Sequence, residues 1–514
     1  MNKIKLDNYA LRFFVLSCLS GFLLINLLFT FQWRMIHDTP LMVYLSYLID
    51  KYHYIPYKNF FDMNMPGTYF IHLFFGKLFG YSDLSLRIAD IIYLSLISLF
   101  TWKWIKPLGK FVAWTAIVLF GLFYINFGPS MSMQREYLAI LPILIFLYTN
   151  DHINFQHHNI IKKPIITNFF IGIAVLIKPQ FAILFPLNII YLLYINKSLS
   201  KKEILNKIIF SLIGFLSPIL ITFIYLLINQ ALDDFFGIAI NYWPLYGQIN
   251  GEIKIVNNLG DRINDFINYY PKFGGKWYLL IPASIGFYLS LNASNYTNNQ
   301  KHKIIKILFL SIVFSIYPAI SGQYWDYHWL ICYFFLLLGS SLLLSTTFKK
   351  NNISQLFLIT FFVVFLFFNF WENDILKTQL SGELIPAPNG GRVDAITNYL
   401  DDNLQPGDVV QPLDWTGGAV HAMLQSNAKL ATNFIYDFHF YHHTSNRYII
   451  DLRKEFISQL HLSNPKYIIS FEDNHRQIDG SNTSTNFPEL DILLKTDYTI
   501  DNVYEDTIIY KRNN

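Results

Sequence analysis

Two cysteines are all that 514 residues contain, and both Cys18 and Cys332 lie inside apolar runs. That excludes a disulfide framework and a cysteine-built metal site. Charge is scarce as well: Asp, Glu, Lys and Arg make up 14% of the chain, against 53% hydrophobic and 18% aromatic residues. The formal net charge is only +4, and the basic residues fall in short clusters between apolar stretches, which offers nucleic acid no extended basic face. Mean hydropathy is positive. A chain so short of charge is expected to bury its apolar surface in a bilayer, as a polytopic membrane protein.

What the sequence does have is a series of apolar runs. Spans are predicted near 11–31, 84–105, 111–128, 135–149, 165–178, 180–195, 208–229, 277–292, 304–320, 329–347 and 353–371, about eleven in all. Several are short against the ~20 residues a spanning helix needs. Leu11 to Phe31 is too long for a secretory signal and lacks a small-residue cleavage site, so it reads as a retained helix with Lys3, Lys5 and Arg12 in the cytoplasm. The basic clusters at Lys103–Lys110, Lys162–Lys163, Lys197–Lys207, Lys301–Lys306 and Lys349–Lys350 then fall on the side of the N-terminus, as the positive-inside rule asks. An odd count puts the C-terminus outside. Lys178-Pro179-Gln180 is the one ambiguous turn, because it could interrupt a single broken helix.

The unusual residues collect on the expected outer face. The stretch from His37 to Thr68 carries Asp38 directly after the first helix, and Asp62 and Asn64 just before the Pro66-Gly67 turn. Thr39 to His53 and Thr68 to Phe79 have the spacing of helices lying in the interface. The same face holds Gln134-Arg135-Glu136, Lys178-Pro179-Gln180, NYWPLYG at 241–247 and GQYWDYHW at 322–329. Trp33, Trp243, Trp277, Trp325 and Trp329 read as an aromatic belt, and Arg87 with Asp90 as a snorkelling pair. Tyr327-His328 reads equally as interface residues or substrate contacts. An acid at the lip of a membrane helix, such as Asp38, carries a desolvation cost that a loop position would avoid, which argues for function.

Polar residues return from Trp371 onward, with Pro386, Pro388 and Gly390-Gly391 marking a linker. Helices are predicted over 392–403, 418–425 and 447–460, and strands over 408–414 and 466–472, which makes a small soluble α/β layer. The expected organisation is thus a membrane domain over 1–372, with a first outer loop at 32–83, and an extracytoplasmic α/β domain over 373–514. Tyr436 to His443 is dense in His and invites a metal reading. A solvated or membrane-facing loop is preferred, because no second ligand cluster is evident.

The order of HDTP (37–40), IPYKNFFDMNMPGTYF (55–70), FGYSDLSLRIAD (79–90), MQREYLAILP (133–142), GIAVLIKPQ (172–180) and Tyr327-His328 resembles the membrane glycosyltransferases of the GT-C fold. The resemblance is to the branch with the protein O-mannosyltransferases and the lipid A aminoarabinose transferase, and covers about residues 11–348. It implies a mainly α, GT-C-like membrane enzyme at the cell membrane, in a bacterium the inner membrane, with its active site and C-terminal domain outside the cytoplasm. The activity implied is hexosyl or pentosyl transfer from a polyprenyl-phosphate-linked sugar to a hydroxyl of a lipid, glycan or protein acceptor. Asp38 matches the acid that serves as general base, and Arg135 and Lys178 match basic residues near the donor phosphate, with Gln180, Tyr327 and His328 beside them as substrate contacts. Many relatives carry a second acid next to the first. Here that position is Thr39, which turns attention to Asp62 and Glu136 as further catalytic acids.

The chemistry suits these residue types. A positioned carboxylate acting as base contributes about 10²–10⁴-fold. Negative charge gathering on a leaving phosphate in a poorly hydrated place is stabilised by a fixed cation, Arg as a bidentate fork and Lys as a point charge. Asp62, Asn64 and His328 could bind sugar hydroxyls or a divalent metal ion, and no ligand spacing decides between the two. A transporter or flippase is the rival class. It expects charge at the membrane midplane, yet six of the predicted spans have none in their interiors, and no pair of similar halves is visible.

Overall fold

A computed structural model of the chain describes residues 8–152, 162–195, 200–294, 296–344, 377–378, 381, 387–471 and 482–513. The predicted span at 353–371 and the expected domain boundary at 372–373 lie outside the described residues. The other predicted spans are helical: Asn8–Phe29, Asp83–Ile105, Lys110–Asn126, Arg135–His152, Lys162–Ile177, Leu184–Ile195, Lys201–Ile228, Leu280–Asn292, Asn298–Ser321 and Leu330–Ser341. Four stretches, Arg12–Gln32, Asp83–Leu108, Lys201–Ile228 and Asn298–Ser321, are long and apolar enough to cross a membrane. The expectation of eleven is therefore not met by full-length helices among the described residues. Leu280–Asn292 and Leu330–Ser341 are shorter than their apolar runs because 3-10 turns at Trp277–Leu279 and Leu342–Leu344 take up part of each. Arg135–His152 carries charge in its first turn.

By packing, the chain forms two compact units. The first comprises Met1–Trp33, Arg87–Pro218 and Asp265–Ile385, and the second Arg34–Leu86, Ile219–Asn264 and Pro386–Asn514.

In the first unit helices pack closely. A Cβ on Gly286 would lie 2.2 Å from the carbonyl oxygen of Gly339, so these two helices touch backbone to backbone only because the residue is glycine. Arg87 and Asp90 differ from the snorkelling pair expected, since 2% and 0% of their surfaces are exposed. Asp90 accepts from Tyr124 Oη at 2.7 Å and Ser132 Oγ at 2.5 Å and is ion-paired with Arg87. Arg87 donates to Thr30 Oγ1 at 2.9 Å and lies 4.6 Å from the centre of the Trp33 ring. The ion pair and these hydrogen bonds offset the cost of burying both charges.

The second unit contains both helices expected to lie in the interface, Thr39–Tyr52 and Pro66–Phe79. Ser46 Oγ ties them by donating to the carbonyl of Tyr69 at 3.0 Å. Its sheet runs in the order β2-β1-β3-β5-β4, with β1 Val409–Leu413, β2 Lys429–Leu430, β3 Tyr467–Phe471, β4 Tyr498–Tyr504 and β5 Thr507–Arg512. β1 is parallel to β2 and β3, whereas β5 is antiparallel to β3 and β4. Helices Arg392–Asn403, Ala419–Gln425 and Arg447–Ser463 form where predicted, and Pro488–Asp497 adds one that was not. Tyr436 to His443 is not a solvated or membrane-facing loop: Asp437, His439, His442 and His443 are all buried. His442 faces the carbonyls of Phe438 and Ile253, each at 3.2 Å, and His443 that of Leu245 at 2.9 Å. Among the described residues no group of three or more His, Cys, Asp and Glu is placed to hold a metal.

Candidate active site

In the first unit, chain breaks bring distant residues together. Proline disfavours the α region for the residue before it, and Lys178 accordingly leaves the helix Lys162–Ile177 with extended backbone, φ −147° and ψ 125°, before the 3-10 turn Pro179–Ile183. Its ammonium is ion-paired with Glu136, an acid in the first turn of Arg135–His152, where the helix dipole favours it. Lys178 Nζ also donates to Tyr317 Oη at 2.7 Å, and that hydroxyl donates to Glu136 Oε1 at 3.0 Å. His328 Nε2, from the 3-10 turn Asp326–Trp329, lies 3.5 Å from the same oxygen. Glu136 is wholly buried, while the Lys178 side chain keeps 12% of its surface.

Oε2 of Glu136 is buried without a hydrogen-bond partner among the described residues. One oxygen thus fixes Lys178. The Nδ1 proton of His328 goes to the carbonyl of Gln323 at 2.6 Å. Burial first, then the charge of Lys178, outweighs the pull of Glu136 and pushes the His328 pKa down to about 3, so the ring is neutral.

Tyr327 completes the group. Its ring centre is 5.7 Å from Lys178 Nζ and 6.0 Å from the Arg135 guanidinium carbon, cation–π distances. Arg135, Glu136, Lys178, Tyr327 and His328 therefore share one site, and Gln180 stands exposed two residues beyond Lys178. Tyr317 was missed from sequence, where a tyrosine inside an apolar run gives no signal.

Asp62 and Asn64 belong to the second unit, in a different setting. Asp62 has no exposed surface. It accepts from Tyr69 Oη at 2.5 Å, Tyr436 Oη at 3.1 Å and Asn64 Nδ2 at 3.0 Å. Tyr57 donates to the Asn64 carbonyl at 2.6 Å. Burial, and after it the charge of Asp62, pushes the phenols of Tyr57, Tyr69 and Tyr436 well above their ordinary range, so they stay protonated donors. An acid so enclosed ties the stretch around Phe61 to the C-terminal segment, where Phe61 N also donates to the Asn433 carbonyl at 2.6 Å. This set does not fit a metal, because N–H and O–H donors already point at the Asp62 oxygens.

Asp38, also in the second unit, precedes helix Thr39–Tyr52 at its N-cap, yet makes no side-chain capping bond to it. Its Oδ1 lies 3.2 Å from Nδ1 of His37, which takes a left-handed φ of 60°. The carboxylate is directed away from the capping role that Asp at such a position usually fills.

A sequence model of the family described as dolichyl-phosphate-mannose-protein mannosyltransferase matches residues 64–227. Comparison with curated proteins finds no match. Among solved structures, ArnT from Cupriavidus metallidurans bound to undecaprenyl phosphate is 10% identical, covers 96% of this chain and 97% of its own, and superposes with a TM-score of 0.55. The archaeal oligosaccharyltransferase AglB from Archaeoglobus fulgidus, in complex with an inhibitory peptide and a dolichol-phosphate, is 12% identical over 91% of this chain and 70% of its own, with a TM-score of 0.48.

Proposed function

We propose that the chain, which shares the fold of ArnT and matches a mannosyltransferase family model over residues 64–227, is a membrane glycosyltransferase that transfers a sugar from a polyprenyl-phosphate donor to an acceptor hydroxyl at the outer face of the membrane. The observation that carries this reading is the Lys178–Glu136 pair with Arg135 beside it. In the reaction the acceptor oxygen attacks the anomeric carbon, the bond from that carbon to the phosphate oxygen breaks, and its electron pair leaves with the phosphate. Arg135 and Lys178 hold the charge that collects there. Glu136, Tyr317 and His328 position the Lys178 ammonium, and Tyr327 walls the site beside both cations. Phosphate is a good leaving group and needs no acid.

Asp38 takes the proton from the acceptor hydroxyl. The carboxylate stands at the N-cap of helix Thr39–Tyr52 without a side-chain capping bond, with His37 Nδ1 at 3.2 Å. Asp62 and Asn64 act by holding the first outer loop in shape and are positioning residues.

The test is Asp38→Asn in the purified full chain, with a polyprenyl-phosphate sugar as donor. Turnover should fall about 10²–10⁴-fold, the usual worth of a general base, with donor-lipid affinity unchanged. Turnover at the unaltered rate would take Asp38 out of the mechanism.

A further inference from the structure

The second unit has a cavity of about 940 Å³ that the reaction does not use. Its walls are the C-terminal end of helix Thr39–Tyr52, the end of Pro66–Phe79 with the turn after it, and the end of Ala419–Gln425. It sits at the upper end of the ~300–1,000 Å³ of small-molecule sites. Asp38 and Asp50 mark opposite ends of one helix, twelve residues or roughly 18 Å apart.

The lining selects a ligand class by charge and by hydrogen-bonding habit. Asp50 and Asp83 stand against Lys51 and Lys77, a formal sum of zero, with the amides of Gln425 and Asn427 nearby. Burial alone would raise the Asp50 pKa, but the hydrogen bond and charge of Lys51 and the charge of Lys77 hold it below the usual carboxylate range. It is ionised at neutral pH, with Lys51 Nζ at 3.1 Å and Lys77 Nζ at 3.6 Å.

Asp83 is a fixed negative charge whose oxygens are already taken by Arg34 at 3.1 Å, His421 at 3.0 Å, the Met35 N–H at 2.8 Å and Gln425 Nε2 at 3.1 Å, so the carboxylate that accepts from a ligand is Asp50. Two carboxylates repel a polyphosphate, and four charged groups repel an acyl chain. A hydroxyl both donates and accepts. The Asp50 acceptor beside the Lys51 and Lys77 ammonium donors and the Asn427 amide therefore matches a ligand rich in hydroxyls.

The aromatic wall is built for permanence. The Tyr81 ring lies against Gly76, where any Cβ would be 2.1 Å from its Cε1. Tyr47 meets Tyr81 edge to face at 5.6 Å. Rings of this kind present an apolar face to the C–H side of a sugar and a hydroxyl at their rim.

We propose that this cavity is a subsite for an uncharged oligosaccharide. Its assignment to the glycan part of the acceptor rests on the glycosyltransferase reading, whereas the binding itself does not.

The experiment uses the full chain in nanodiscs, with maltotetraose and chitotetraose as neutral probes, a sulfated oligosaccharide as the anionic one, and undecaprenyl phosphate as control. Saturation-transfer NMR should show a neutral probe binding at millimolar concentration or better. Leu84→Trp, at an exposed lining residue, should abolish that binding by filling the space, and Asp50→Asn should weaken it about tenfold, while undecaprenyl phosphate binds as before. Should Leu84→Trp fail to fold, Asp50→Asn and Lys51→Gln decide. Binding of neither neutral probe up to 10 mM, equal or tighter binding of the sulfated one, or no effect of these substitutions would overturn the subsite. None of those results touches the donor site, which is judged by undecaprenyl phosphate alone.

Discussion

Removing the charge of Lys178 separates what the Glu136 pair does for the fold from what it does for a phosphate. In Lys178→Gln a carboxylate with no exposed surface loses its cation. Breaking one side of a buried pair costs about 3–5 kcal/mol. Tyr317 still donates to Oε1 at 3.0 Å, which keeps the loss toward the lower figure. At roughly 2–4 °C per kcal/mol for domains of 150–250 residues, and less for longer chains, the melting temperature should fall by about 6 °C or less. Glu136→Gln should be milder, because Lys178 keeps some exposed surface and the Tyr317 hydroxyl at 2.7 Å.

The double variant restores neutrality and should recover much of the stability lost in Lys178→Gln, a coupling that independent sites would not show. Affinity for undecaprenyl phosphate should behave differently. Both Lys178→Gln and the double variant should lose about 1.5–3 kcal/mol, roughly 10- to 150-fold, as expected for a charge-assisted contact. Scanning fluorimetry with and without lipid reads both quantities. A double variant whose instability is the sum of the singles would refute the pairing, and intact lipid affinity in all three would refute the phosphate role.

Asp62→Asn should cost about 1.5–3 kcal/mol of stability through its phenol donors, with Tyr436→Phe costing less; activity should recover on cooling and keep its pH profile, whereas an altered pH profile would restore Asp62 to the chemistry. Acid should destabilise the fold through His439, whose pKa burial, and then the charge of His442, pushes down to about 3. The folded state excludes a proton that the unfolded state binds below its ordinary 6.5, so stability is full above pH 6.5 and drains away as pH falls toward 3. Melting temperature followed from pH 7.5 to 5 should decline in the natural chain and decline less steeply in His439→Phe, a ring that suits a site walled by Phe61, Phe434 and Phe440, while His328 sustains the remainder. A phosphatase reporter should be active after Asn514 and silent at Lys163; the reverse pattern would overturn the orientation drawn from the basic clusters.

Periodicity and punctuation made the local elements legible. The helix over Arg392–Asn403 and the strand Tyr467–Phe471 follow from apolar spacing, and Pro179 announced the break that frees Lys178 from its helix. Pairings across the chain were not legible, because no local pattern records them. Tyr317 meets a carboxylate 181 residues away and Tyr436 one 374 residues away. The last antiparallel strands escaped for another reason: Tyr498–Tyr504 is exposed along most of its length, so it lacks the apolar run that marked β3. Histidine density at 439–443 misled, since those rings are spent on aromatic packing and backbone carbonyls.

The span between Asp62 and Tyr436 sets a clock for biogenesis. At roughly 5–20 residues per second, the 374 residues between them take about 20–75 s to synthesise. Throughout that interval the loop around Phe61 and Asp62 exists without the strand-like bridge to Phe434 and without the Tyr436 hydroxyl. Nascent chains stalled short of residue 434 should therefore show this loop open to protease, and any factor that guards it would be needed early and released only when about the last sixth of the protein emerges.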